Sequence, residues 1–158
     1  MGVSRRDPAE TGLAPVQAIP KALARAGLST AGVELFEINE AFAAMCVATI
    51  RLLDLDPDRV NVSGSGCSLG HPVAATGARM LVTLVHELRR RGGGIGVAAM
   101  CAGGGMGSAT VIEVAAAQLC GGLASGPPEG AAFAPRWRSS LLGPGAAAAL
   151  WLARRVLA

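Results

Sequence analysis

The chain has 158 residues, of which 51% are hydrophobic, so it is long and apolar enough to form the core of one ordinary domain. Aromatic residues make up only 3% and tyrosine is absent, which disfavours a surface that stacks nucleic-acid bases. The formal net charge of +3 is local, with arginines grouped at 89–91 and near the C-terminus. Composition therefore favours helices packed on a sheet and excludes nucleic acid as an expected partner.

The cysteines and the apolar segments indicate which cellular compartment to expect. Cys46, Cys67, Cys101 and Cys120 lack the paired spacing of a zinc site. No N-terminal segment has the apolar region of a secretion signal, and the most apolar stretch near the C-terminus, 145–153, is too short to span a membrane. We therefore expect a cytoplasmic protein without disulfides, metal or membrane partner.

Helical and strand patterns alternate along the first part of the chain. Residues 15–27 predict a helix that ends at Gly27 and is kinked or delayed by Pro20. A strand at 33–38 followed by a helix at 40–55 forms a βα unit.

The pattern continues with a short strand at 59–62, a glycine-rich loop and a long helix at 72–91. Strands at 95–101 and 108–114 flank a glycine-rich turn and predict a hairpin. The order of elements predicts an α/β fold with a mixed sheet layered with helices over 1–115. Residues 116–158, rich in Ala, Gly and Pro, predict a low-complexity tail with at most one short helix.

A histidine occupies the junction between the glycine-rich loop and the long helix, in the stretch "SGSGCSLGHPVAATGAR" at 63–79. Pro72 suits the first position of a helix, which puts His71 at the cap position where Ser, Thr, Asp or Asn are usual. The positive end of the helix dipole disfavours an imidazolium, so we expect a neutral ring able to accept a proton or donate a hydrogen bond. The alternative is a ring satisfied by neighbouring carbonyl groups.

Two further positions follow predicted strands. Asn39 lies between a strand and a helix, where asparagine commonly caps the helix, and Cys101 ends a buried strand, where cysteine is commonly inert packing. The glycines after Cys101 carry unhindered N–H groups that suit an oxyanion. Open α/β sheets build sites from strand-end loops, so the loops of Asn39, His71 and Cys101 form one candidate site.

Three motifs connect these loops to a known family. "NEAFA" at 39–43, "GHPVAATGAR" at 70–79 and "CAGGGMG" at 101–107 together resemble the C-terminal half of a thiolase, from about Asp7 to Val114. With a cysteine at position 101, the chain resembles the acetyl-CoA acyltransferases rather than the ketoacyl synthases or the sterol-carrier-type thiolases. The resemblance implies the thiolase fold and a reversible Claisen condensation or thiolysis of 3-ketoacyl-CoA, as in fatty acid metabolism.

The resemblance also implies a role for each matched residue. His71 would activate the nucleophilic cysteine and donate a hydrogen bond to the thioester oxygen, and Asn39 would hold a water that completes this oxyanion hole. Cys101 would shuttle the proton on the α-carbon or on the leaving CoA thiol, and the Gly103 N–H would help form a second oxyanion hole. CoA and acyl-CoA would be the substrates with no other cofactor, and the parent enzyme would be a homo-oligomer.

The sequence departs from the family at several points. Ala74 stands where glycine is usual and Ser63 where asparagine is common. The resemblance includes no N-terminal half, which carries the acylated cysteine, and we predict that the first strand of the domain's own sheet is also missing. The exposed sheet edge that results would reduce solubility.

Two functional hypotheses follow. In the first, the chain is a thiolase part, inactive alone, whose chemistry requires an N-terminal half or an intact subunit as partner. In the second, it is a non-catalytic module that binds CoA esters or pairs with intact subunits. A separate possibility is that Cys67, four residues before His71, acts as a substitute nucleophile and makes the chain active alone.

Overall fold

The computed structural model describes residues 1–116. Four strands, β1 (Gly2–Arg5), β2 (Leu35–Ile38), β3 (Gly94–Ala102) and β4 (Met106–Val114), form one sheet in the order β1-β4-β3-β2. Strand β2 is parallel to β3, and β4 is antiparallel to both β3 and β1. The sheet is therefore mixed, as the sequence predicts.

Helices surround this sheet. They are α1 (Ala14–Ala26), α2 (Ala43–Leu52), the single turn α3 (Gly66–Leu69) and the long α4 (Val73–Arg90). Shorter 3₁₀ turns cover Pro8–Leu13, Thr30–Gly32 and Pro57–Arg59. Helix α1 is continuous through Pro20 and ends at Gly27, whose φ of 70° is the left-handed conformation that favours glycine.

The core lies on both faces of the sheet, because successive residues of a strand point to opposite sides. On one face, Val97 of β3 packs in a cluster with residues of α1 and α2, among them Ile19 and Met45. On the other face, Ala98 packs with Met80 and Leu84 of α4. Strand β3 is therefore buried on both sides. Its last residues lie at the end of the sheet where the candidate site forms.

Strand β1 corrects the prediction that the first strand of the sheet is missing. Residues 2–5 pair with β4, from Gly2 opposite Ala109 to Arg5 opposite Met106. Gly2 makes this pairing possible because a Cβ there would contact the backbone of α1, with the nitrogen of Ala22 at 2.5 Å. The sequence signal was weak because the buried residues of this short strand are Gly2 and Ser4, while its one large apolar residue, Val3, is exposed.

The predicted strand at 59–62 is wrong. Only Val60 pairs with the sheet, through an isolated parallel bridge to Phe36. The next residue, Asn61, has a φ of 51°, and a left-handed residue cannot continue an extended strand. The two apolar residues of this stretch therefore do not form a ladder.

Two helix boundaries also move. The helix predicted at 40–55 occupies only Ala43–Leu52, and the helix predicted from Pro72 begins at Val73. Pro72 is itself the cap residue of α4, with a non-helical ψ of 61°. His71 therefore lies one residue outside the cap, so its predicted cap position is wrong. The predicted tail at 116–158 lies, apart from its first residue, outside the described residues.

Candidate functional site

Asn39 occupies the carboxyl end of β2. Its backbone N–H donates to the carbonyl of Ala99 at 2.9 Å, and only 1% of the residue is exposed. Helix α2 begins four residues later, with Phe42 at its cap position. The interpretation of Asn39 as a helix cap is therefore wrong, and its side chain is directed toward His71.

Asn61 fixes the strand end that carries Asn39. Its side-chain oxygen accepts from the N–H of Ile38 at 2.7 Å, and its side-chain nitrogen donates to the carbonyl of Ile38 at 2.9 Å. Its backbone N–H donates to the carbonyl of Phe36 at 2.9 Å. The amide of Asn61 thus satisfies both backbone groups of Ile38, as the next strand of a sheet would.

The same Asn61 amide donates to the Glu40 carboxylate at 3.1 Å, so it holds the chain on both sides of Asn39. This role of Asn61 was not predicted from the sequence. The available signal was an asparagine within an apolar strand pattern, since asparagine tolerates the left-handed conformation better than the residues around it.

His71 lies in the loop between α3 and α4. Gly70, with a φ of 97°, turns the chain toward it. The Nδ1 atom of His71 lies 2.7 Å from Oγ1 of Thr76, and Nδ2 of Asn39 lies 3.5 Å from both ring nitrogens. A nitrogen equally distant from both lies on the lone-pair axis of neither, so the Thr76 hydroxyl is the strong hydrogen-bond partner of the ring.

Cys101 is the penultimate residue of β3 and is half-buried. Its thiol donates to the sulfur of Met45 at 3.4 Å. Burial raises the pKa of the Cys101 thiol, so the side chain is protonated at neutral pH and able to give a proton. Gly103 follows in the turn between β3 and β4, and a Cβ there would meet nothing within 4 Å.

These residues meet at one open cleft of about 1030 Å³. His71, Cys101 and Gly103 line it together with the turn at Pro8–Leu13 and apolar side chains of α2. Asn39 does not line the cleft, but its amide contacts the ring of His71. The fold thus brings the four predicted site residues together from three loops at one edge of the sheet.

A buried ion pair supports the loops around this cleft. Glu37 of β2 accepts from Arg79 of α4, and both contact the hydroxyl of Ser65, which caps α3. Burial raises the pKa of Glu37, while the hydrogen bond and charge of Arg79 act in the opposite direction. The pair joins the three elements that position Asn39 and His71. Arg79 belongs to the motif at 70–79, but the motif did not predict this contact.

Cys67 does not line the cleft. Its backbone N–H donates to the Glu40 carboxylate at 2.9 Å, and its thiol is exposed. Desolvation, and then the negative charge of Glu40, raises the pKa of Cys67. Both its position and its protonation therefore disfavour Cys67 as a substitute nucleophile.

A family model of the thiolase C-terminal domain matches residues 1–114. The chain belongs to the thiolase family. Cytosolic acetyl-CoA acetyltransferase of Mus musculus is 51% identical over 107 residues, which are 68% of this chain and 27% of that protein. The 3-ketoacyl-CoA thiolase of Bacillus subtilis is 48% identical over 107 residues, with the same coverage. This thiolase chain thus spans about a quarter of the length of the curated relatives that it matches.

Solved structures of thiolases also resemble this chain. The acetyl-CoA acetyltransferase of Bacillus anthracis superposes with a TM-score of 0.70 at 50% identity, covering 72% of this chain and 29% of that one. A thiolase from Ascaris suum in complex with coenzyme A gives a TM-score of 0.68 at 44% identity, with the same coverage. The thiolase fold that the motifs implied is confirmed, and the match begins before Asp7 because it includes β1.

The relatives are named for different compartments: cytosolic in Mus musculus, peroxisomal in Petunia hybrida and mitochondrial in Rattus norvegicus. Within residues 1–116, none of the helices has the length and apolar character needed to span a bilayer.

Proposed function

We propose that this thiolase domain supplies the acid–base and oxyanion-binding side of a reversible 3-ketoacyl-CoA thiolysis, with an N-terminal half supplying the cysteine that is acylated. The observation that carries the proposal is the common cleft of His71, Cys101 and Gly103, with Asn39 against the histidine ring. The resemblance to acetyl-CoA acetyltransferases and 3-ketoacyl-CoA thiolases sets the substrate class as CoA esters.

Cys101 is suited to move the proton on the α-carbon. In thiolysis the nucleophilic cysteine attacks the keto carbon, the bond to the α-carbon breaks, and the electron pair remains on the α-carbon. The Cys101 thiol, kept protonated by its burial, gives its proton to that carbon and releases acetyl-CoA, while the shortened acyl group stays on the nucleophilic cysteine until a CoA thiol takes it up. In the condensation direction the Cys101 thiolate takes the same proton back.

His71 and Gly103 are suited to stabilise the oxygen atoms that gain charge. An N–H of the His71 ring faces the enolate oxygen of the acyl-CoA, supported by the amide of Asn39, and the Gly103 N–H faces the tetrahedral intermediate on the acylated cysteine. One preorganised donor of this kind lowers a barrier by about 2.7–4 kcal/mol. The absence of any Cβ at Gly103 leaves room for the substrate to approach the backbone.

Exposed apolar side chains beside the cleft support a partner half. Val73 is 79% exposed and Phe42 is 64% exposed, and both line the cleft. Large apolar side chains grouped at an open cleft indicate a surface that another protein covers. An N-terminal thiolase half is the partner that would also supply the acylated cysteine.

The test is complementation. The full chain is mixed with the N-terminal half of a curated relative, such as the Mus musculus acetyl-CoA acetyltransferase, and the CoA-dependent loss of acetoacetyl-CoA is measured. We expect no turnover from either part alone and turnover from the mixture. His71→Ala and Cys101→Ala should each lower it at least a hundredfold, because each removes a positioned acid–base or hydrogen-bonding group.

Cys67→Ala is the matched control, since Cys67 lies outside the cleft. Turnover by the chain alone that Cys67→Ala abolishes would contradict the proposal, because it would reveal an internal nucleophile. A stable complex without turnover, in which the chain still binds acetoacetyl-CoA by calorimetry, would instead favour the non-catalytic module.

A further inference from the structure

Two buried threonines on helices use their hydroxyl groups differently. Thr49 of α2 is 0% exposed, and its hydroxyl donates to the carbonyl of Met45, four residues earlier, at 2.8 Å. This is the ordinary back-bond of a helical threonine. Thr76 of α4 is 1% exposed, and among residues 1–116 its hydroxyl is paired only with Nδ1 of His71, at 2.7 Å.

The start of α4 explains the difference. The residue four positions before Thr76 is Pro72, which has non-helical dihedral angles, and its carbonyl already accepts from the N–H of Ala75 at 2.7 Å. The Thr76 hydroxyl instead reaches the ring of the residue before the proline. The sequence "HPVAAT" thus brings a hydroxyl and an imidazole together across the first turn of a helix.

The burial of Thr76 decides the direction of this hydrogen bond. A hydroxyl has one proton to donate, and a buried donor requires an acceptor. If Nδ1 carried the ring proton, that proton would occupy the contact and leave the hydroxyl proton without an acceptor among the described residues. The Asn39 amide nitrogen is a second buried donor beside the ring, but it lies 3.5 Å from both ring nitrogens, whereas the Thr76 hydroxyl lies 2.7 Å from Nδ1. The shorter contact is the hydrogen bond, so the Thr76 hydroxyl donates to Nδ1 and the proton of the neutral ring is on Nε2.

We infer that Thr76 is a positioning residue that holds His71 as the tautomer with the proton on Nε2. The contact fixes the ring orientation and occupies the lone pair of Nδ1, so Nε2–H is the group that His71 can present to a ligand. The chemical consequence rests on the proposed function: His71 meets the thioester oxygen as a hydrogen-bond donor, and it can accept a proton on Nε2 only after giving one up.

The test reads the tautomer directly. Long-range ¹H–¹⁵N spectra of the full chain, recorded where the imidazoles are neutral, distinguish a protonated ring nitrogen from a bare one. The chain contains two histidines, and the exposed His86 of α4 serves as an internal reference for a ring in water. We expect His71 to be a single tautomer with a bare Nδ1, and His86 to be a mixture of both forms.

Thr76→Val keeps the shape of the side chain and removes the hydroxyl. We expect the Nδ1–H fraction of His71 to rise several-fold in this variant, toward that of His86, and to stay low in Thr76→Ser. Circular dichroism checks that the variants are folded. A protonated Nδ1 in the unmodified chain, which can be read even if Thr76→Val does not fold, overturns the inference.

An unchanged tautomer ratio in folded Thr76→Val also overturns it. Because the spectra need no CoA ester and no partner half, this failure is distinct from a failure of the acyl-transfer proposal, which the complementation assay tests separately.

Discussion

Glu37, two residues before Asn39 in the chain, forms an ion pair with Arg79 that joins the sheet to the long helix. The Glu37 side chain is only 4% exposed, so its charge depends on the guanidinium group and on the Ser65 hydroxyl for compensation. Because β2 carries Asn39 and Ser65 caps the turn that leads to His71, this pair controls the spacing of both site residues.

Arg79→Met tests this dependence. Removing the cation leaves a buried carboxylate unpaired, which costs about 3–5 kcal/mol of unfolding free energy. The pKa of Glu37 is already raised by burial and should rise further without Arg79, so the penalty is small where Glu37 is protonated in the folded chain and grows as the pH rises through the folded pKa of Glu37. Urea unfolding should therefore show a larger loss at pH 7 than at pH 4.

Arg91→Met is the matched control for this variant. Arg91 is 41% exposed, and Glu87, its partner, also pairs with Arg90, so removal of Arg91 should cost less than about 1 kcal/mol. Losses of equal size for the two arginine variants, or a loss in Arg79→Met that does not change with pH, would show that Glu37 does not need its partner.

Gly66 permits the close approach of α3 to the strand end. A Cβ on this residue would lie 2.7 Å from the carbonyl oxygen of Glu40 and 3.2 Å from the side-chain oxygen of Asn39. Gly66→Ala should lower the unfolding free energy by about 1–3 kcal/mol, since backbone must move to relieve the overlap. Gly32→Ala, which meets nothing within 4 Å, should change it little. Equal urea midpoints for the two variants would exclude this close packing.

The sequence predicted the main elements because their apolar periods are strong. The hairpin of β3 and β4, the long helix α4 and the strand ending at Ile38 are all present. The prediction failed where a side chain takes the place of backbone hydrogen-bonding groups. Asn61 looks like part of a strand, but its amide rather than its backbone pairs with Ile38, and a propensity argument does not contain that contact.

The candidate site was foreseen from the same kind of pattern, as three loops at strand ends. Its supporting contacts were not, because Glu37 and Arg79 are 42 residues apart and only folding brings them together. Thr76 was missed for a different reason. Thr76 has the helical spacing of the buried residues of α4, which predicts a core residue. Its hydroxyl contacts His71 only because Pro72 lies four residues before it.

Glu87 makes the stability of α4 dependent on pH. Hydrogen bonds from Arg90 and then Arg91 lower its pKa to about 2 in the folded chain. A lowered pKa gives stability that is fully present above the unfolded value near pH 4.5 and is lost as the pH falls toward 2. Glu87 is buried while its arginine partners are exposed, so Glu87→Gln should cost about 1 kcal/mol at pH 7 and much less at pH 2, where about half of the folded chains have lost the charge.

The matched control for Glu87 is Glu113→Gln on β4, an exposed carboxylate that forms no ion pair within residues 1–116. It should leave the unfolding free energy unchanged at both pH values. A Glu87→Gln effect that is as large at pH 2 as at pH 7 would mean that charge is not the cause.

The three free cysteines of the described region should differ in reactivity toward iodoacetamide. Burial raises the pKa of Cys46 to about 11, so only about one thiol in a thousand is ionised at pH 8, and 6% of the residue is exposed. Cys67 is exposed and should be labelled first, with half-buried Cys101 between the two. Peptide mass mapping over time gives the order, and in urea the three rates should converge. Labelling of Cys46 as fast as Cys67 without urea would show that α2 does not hold the packing described.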